Sequence, residues 1–172
     1  MFPLKNNCEI VLKRLKLNSK AKVESEVYHM TDQVRELLIT EAIKARGMAY
    51  AQYSKYLVGA ALIVPSGRIY TGCNVENASF GLSNCAERTA IFKAVSDGQR
   101  HIDAIAIVGG TLEGGLTGNY SYPCGACRQV MSEFLPESRD IDIIVANSVN
   151  DYQILKFSDL MPYTFMGMFF GG

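Results

Sequence analysis

The sequence predicts an α/β fold: three layers, with helices on both faces of a five-stranded mixed sheet. Three observations carry this. Helix-like and strand-like segments alternate along the chain, the pattern of a sheet covered by helices. The first two strand-like segments are separated only by Pro65-Ser66-Gly67, a turn too short for anything but an antiparallel hairpin, which makes the sheet mixed rather than purely parallel. The chain has 172 residues, 48% of them hydrophobic and 20% charged, enough for one compact domain with a real core.

The elements follow in order. Val34, Leu37, Leu38, Ala42, Ala45 and Met48 recur at three- and four-residue steps behind Thr31, an amphipathic helix with its cap. Leu57 to Val64 and Ile69 to Asn74 form the hairpin. A second helix spans about Cys85 to Ser96, and Ala104 to Val108 is the third strand. From Gly109 to Tyr120 the sequence is a glycine-rich loop with no regular pattern. A third helix starts near Gly125 and stops before Pro136. Ile141 to Ala146 and Tyr152 to Lys156 are the last strands, and Ser158 is placed to cap a short helix that ends by Pro162.

Composition narrows the partners. Lysine plus arginine and aspartate plus glutamate number 17 each, so no overall field attracts a nucleic acid polymer, and a small uncharged ligand fits better. The longest apolar run, Leu57 to Val64, falls far short of the ~20 residues that cross a bilayer, so no membrane partner is expected. Five cysteines, an odd number, and the lack of a contiguous apolar core at the start point to a reducing cytoplasmic setting. The first thirty residues carry six bases against three acids. A transit peptide is the alternative, though one arginine and three acids make a poor one, so residues 1–30 read as a solvated, mobile extension and 31–172 as the folded domain.

The chemistry-bearing residues are Cys85-Ala86-Glu87-Arg88 and Pro123-Cys124-Gly125-Ala126-Cys127. Both motifs fall at predicted helix starts, where unpaired amides and the helix dipole favour thiolates. Cys124 and Cys127, three apart, share a helix face, and Cys85 must approach from another helix. Three ligands, not four, are what a catalytic zinc takes, the fourth position being left to water or substrate. Three thiolates overcompensate a dication, and Arg88 is placed to offset the excess. Glu87 has two readings. Three residues after Asn84 it completes a capping box, and two residues after a metal ligand it can relay protons. Cys124 and Cys127 alone would equally suit a redox pair, and a noncatalytic zinc-stabilised module would keep the same ligands. Cys73, in the hairpin, reads as a small core thiol, and His29 and His101 stand apart from both motifs.

Cys85 to Ala90 and Pro123 to Gln129, together with Tyr53 to Leu62 and Gly72 to Ala78, resemble the small cytidine deaminases with an all-cysteine zinc site, of the cytidine and deoxycytidylate deaminase family. The likeness runs from about Thr31 to Phe165. It implies the cytidine-deaminase-like fold and a zinc cofactor held by Cys85, Cys124 and Cys127. It also implies hydrolytic deamination of cytidine and deoxycytidine to the uridines, in pyrimidine salvage. By the same resemblance Glu87 moves the protons while activated water adds to carbon 4 of the base. Asn74 and Glu76 bind the ribose 3′-hydroxyl, Tyr56 and Ala86 contact the substrate, and Arg88 supports the metal. Tyr56 stands where the family commonly has a stacking phenylalanine, and Phe80 replaces a common tyrosine and so cannot donate its hydrogen bond. Phe165 matches a phenylalanine that reaches a neighbouring subunit's site, which implies a homotetramer with shared active sites. The apolar end Met166-Gly167-Met168-Phe169-Phe170 would then pack at an interface. A deaminase of another aminopyrimidine, such as a nucleoside antibiotic of the blasticidin type, shares the zinc motifs.

Overall fold

The computed structural model describes residues 30–111, 113, 115–116, 118–137 and 139–165. The expected extension, Met30 apart, and the apolar end beyond Phe165 lie outside the described residues.

Helix α1 spans Asp32–Arg46, and its Thr31 hydroxyl accepts the Val34 amide at 3.3 Å. Asp32 in the first turn and Lys44 and Arg46 in the last complement the helix dipole. Strand β1, Tyr56–Ile63, turns through Gly67 (φ 77°) into β2, Ile69–Cys73. After a short 3-10 turn at Phe80–Leu82 come helix α2, Ala86–Ser96, strand β3, Ala104–Thr111, and helix α3, Gly125–Ser132. Strand β4, Asp142–Ser148, strand β5, Asp151–Lys156, and the one-turn helix α4, Phe157–Leu160, complete the described chain.

The sheet order is β2-β1-β3-β4-β5. Only β3 and β4 run parallel, joined by the crossover that carries α3, while the other pairs are antiparallel. Side chains alternate across the sheet and divide the core in two. Ala61 and Ile63 of β1, Ala104, Ala106 and Val108 of β3, and Ile144 and Ala146 of β4 meet Val34, Leu38, Ile39 and Ala42 of α1 on one face. Ala60, Leu62, Ile105, Ile107, Ile143 and Val145 meet Ala90, Ile91 and Ala94 of α2 and Cys127 and Met131 of α3 on the other. The three-layer arrangement with a five-stranded mixed sheet is thus the one the alternation implies.

Two expectations are corrected. The strand predicted to end at Val108 continues through Gly109 and Gly110 to Thr111, because β1 supplies partners for each: Val58 for Gly109, Leu57 for Gly110 and Tyr56 for Thr111. Ser158 does not cap the last helix. Lys156 holds the cap position, and Ser158, inside the turn, gives its amide and hydroxyl to the Asp140 carboxylate at 3.2 and 2.6 Å.

Candidate active site

Cys85 and Cys124 are the N-cap residues of α2 and α3, in extended backbone and with no side-chain cap bond. Their sulfurs are therefore free of local duty, at two helix ends aimed at one point. Cys124 Sγ lies 3.9 Å from Cys85 Sγ and 3.5 Å from Cys127 Sγ, and all three lie within 4.8 Å of one another. Zinc–sulfur bonds of ~2.3 Å in a tetrahedron put ligand sulfurs roughly 3.8 Å apart. The three thiols fit zinc in spacing and in softness. Among the described residues this is the one such cluster, and it has no fourth protein ligand. Cys73 lies apart, half-buried, with its Sγ 3.3 Å from the Met48 carbonyl, and His101 is exposed at the start of the segment leading into β3.

The electrostatics favour a metal. A hydrogen bond with Cys127 and the Arg88 guanidinium, whose Nη2 is 3.5 Å from Cys85 Sγ, outweigh burial and bring Cys85 down to about 5. The same hydrogen bond, burial and the Glu87 and Cys85 charges push Cys127 up. Cys85 thus forms a thiolate readily, and Cys127 holds its proton until a cation replaces it. Arg88 also donates to the Ser83 carbonyl at 3.3 Å, which fixes its approach to Cys85.

Glu87 is not in a capping box. Asn84 lies one residue before the cap: its backbone pairs with Val75, and its side-chain amide donates to Thr89 Oγ1 at 3.1 Å. Glu87, only 4% exposed, instead lines the same cavity as Cys85 and Cys124. Burial pushes its carboxyl up to about 7, with the Cys85 charge adding to the effect. A carboxyl balanced near neutrality both accepts and returns a proton.

The cavity holds about 460 Å³, the size of a small-molecule site. Tyr56, Asn74, Glu76 and Ala86 all line it, as does Phe80, whose ring meets Tyr53 edge to face at 5.8 Å. Asn74 spends much of its amide on the sheet: Oδ1 accepts the Val58 amide at 2.8 Å, and Nδ2 donates to the Tyr56 carbonyl at 2.9 Å. Glu76 Oε2 accepts the Tyr53 and Ser54 amides at 2.9 and 3.2 Å. The Ser54 hydroxyl and these amides hold its carboxyl below the usual range. Phe165 lies outside this cavity wall, 67% exposed, with its carbonyl accepting Gln129 Nε2 at 2.9 Å.

Sequence reasoning missed Ser54, Ile107, Ser121 and Tyr122, which also line the cavity. Ser121 and Tyr122 stand just before Pro123-Cys124, so nearness to a metal ligand was their only signal. Lys55, with φ 57°, stands between the Tyr53 and Ser54 amides that meet Glu76 and the start of β1.

Residues 32–140 match the family model described as the cytidine and deoxycytidylate deaminase zinc-binding region. A cytidine deaminase of Halalkalibacterium halodurans is 48% identical over 131 residues, which are 76% of this chain and 93% of that protein. One from Sporosarcina psychrophila is 48% identical over 130 residues, 76% of this chain and 90% of that one. The crystal structure of cytidine deaminase from Burkholderia pseudomallei superposes with a TM-score of 0.67 at 44% identity, covering 79% of this chain and all of that one.

Proposed function

The chain belongs to the cytidine and deoxycytidylate deaminase family, and from that premise we propose that it hydrolyses cytidine and deoxycytidine to uridine and deoxyuridine, releasing ammonia, in pyrimidine salvage. The observation that carries this reading is a buried carboxyl, Glu87, on the wall of one cavity with the converging thiols Cys85 and Cys124.

Cys85, Cys124 and Cys127 would hold the zinc, which would supply the Lewis acidity that makes water a nucleophile near neutral pH. Glu87 takes a proton from the attacking water, gives one to ring nitrogen 3, and assists the amino group as it leaves as ammonia. Arg88 offsets the excess negative charge of three thiolates on a dication. Water adds to carbon 4 and the carbon–nitrogen bond breaks, so the atoms balance as nucleoside plus water giving uridine plus ammonia.

Asn74 and Glu76 take the ribose 3′-hydroxyl, with the second oxygen of Glu76 accepting a hydrogen bond from it. The Tyr56 ring packs near the base, and Ala86, buried between the metal ligand Cys85 and Glu87, contacts it. The assembly is a homotetramer in which Phe165 enters a neighbour's site. Its exposure outside its own chain's cavity wall supports this, as do the exposed apolar side chains of Leu82 and Tyr163. Among the described residues no helix is long and apolar enough to cross a membrane. Thiols that must stay reduced to hold zinc suit the cytoplasm.

Zinc-loaded protein incubated with cytidine, and separately with deoxycytidine, releases ammonia and the corresponding uridine in equal amounts. Absence of turnover on both overturns the reading.

A further inference from the structure

Tyr56 opens β1 and Ser121 lies three residues before Cys124, yet Tyr56 Oη and Ser121 Oγ are 2.7 Å apart. Both residues line the cavity that Glu87 lines. The pair is seated on the sheet. A β-carbon on Gly109 of β3 would stand 2.0 Å from Ser121 Oγ and 3.0 Å from Tyr56 Cε1. Only glycine leaves that space, so the serine hydroxyl is held against the strand.

Two hydroxyls own two donatable protons, and their mutual bond uses one. A phenol is a stronger acid than an aliphatic hydroxyl and so is the better donor. Either oxygen can be the donor at this distance; in the arrangement that the more acidic phenol favours, Tyr56 donates to Ser121 Oγ and the serine proton is left for another acceptor. Among the described residues neither hydroxyl makes another side-chain hydrogen bond. The ligand that matches one oriented donor in this cavity is one carrying an acceptor oxygen.

We propose that the Tyr56–Ser121 hydroxyl pair is a specificity element of the site: Ser121 donates a hydrogen bond to an acceptor oxygen of the bound nucleoside, and Tyr56 is its positioning residue. This rests on the nucleoside reading above. The accepting oxygen belongs to the base carbonyl or to a sugar hydroxyl, which share this chemistry.

Wild type, Ser121→Ala, Tyr56→Phe and the double variant are compared on cytidine, 2′-deoxycytidine and 5′-deoxycytidine, with zinc content and uridine affinity by calorimetry measured alongside. Ser121→Ala raises KM about fivefold, the worth of one neutral hydrogen bond, with kcat changed less than about twofold. The uridine dissociation constant rises by the same factor. Tyr56→Phe, which removes only the orientation, raises KM about twofold, and the double variant is no worse than Ser121→Ala, because the two act as a unit. A loss seen on all three substrates assigns the oxygen to the base carbonyl or to the 3′-hydroxyl, which all three retain, and one that vanishes on a deoxynucleoside assigns it to that hydroxyl. Where Ser121→Ala fails to fold, Ser121→Cys keeps the volume but is a weak donor and gives the same shift. Unchanged KM and uridine affinity in an active, zinc-loaded Ser121 variant overturn the proposal alone. A wild type that neither turns over cytidine nor binds uridine overturns the nucleoside reading, and this proposal with it.

Discussion

Gly72 of β2 and Ala86 of α2 stand so close that a β-carbon on Gly72 would lie 2.4 Å from the Ala86 carbonyl oxygen, and equally close to the Ala90 amide nitrogen. The first turn of α2 thus rests on bare backbone. That turn begins at Cys85 and carries Glu87, so the sheet sets the height of both.

Gly72→Ala lifts the start of α2. Overpacking of this kind costs about 1–3 kcal/mol, read as a lower urea midpoint at unchanged slope. Because Cys85 moves while Cys124 and Cys127 stay on α3, zinc release to a chelator is also faster. A variant as stable as wild type with the same release rate would show that helix and sheet part without cost.

Glu87→Gln keeps the shape and the three sulfurs and removes the carboxyl proposed to carry the protons. Zinc content stays at the wild-type level while kcat falls by roughly 10²–10⁴. Full activity would return Glu87 to a structural role.

Arg88 touches the metal site through Cys85 Sγ at 3.5 Å and is fixed by the Ser83 carbonyl. Arg88→Ala lowers zinc affinity or kcat about 10–100-fold, the usual cost of losing a group that supports a metal ligand. Arg88→Lys recovers only part, since the shorter side chain does not bring its ammonium to the point where Arg88 Nη2 meets both the Cys85 sulfur and the Ser83 carbonyl. Competitive zinc titration and steady-state kinetics on the same preparations separate the two effects.

Asp140 gives a pH dependence remote from the metal. Burial opposes its ionisation, but the Ser158 hydroxyl and amide and the Ile141 amide outweigh it and hold the carboxyl below its ordinary value. The native state then binds fewer protons than the unfolded chain around that value. The stabilisation is present above the ordinary carboxylate pKa of about 3.9 and is lost as pH falls through the lower native value. Asp140→Asn lowers the melting temperature at pH 6, and the gap to wild type narrows as pH drops below 4. A gap constant from pH 6 to pH 3 would contradict this.

The sequence alone named the candidate reacting groups. Cys85, Glu87, Cys124 and Cys127 sit in short motifs at helix starts, and a helix start fixes side-chain direction within one turn. Layer order was legible as well, because residues alternate faces along a strand. Capping boxes are also local, yet the Asn84 to Glu87 reading failed. Asn84 is drawn into a bridge with Val75, nine residues earlier, and the cap position passes to Cys85. Tyr56 and Ser121 meet across 65 residues only because β1 pairs with β3 in one register and Gly109 leaves room between them. Asn74 shows the same limit. Its amide reaches both Tyr56 and Val58 only once β1 lies beside it, so strand pairing decides how much of that side chain remains for a ligand. Motifs name candidate reacting groups because their geometry is local. The walls of the cavity depend on long-range register, which no short stretch of sequence contains.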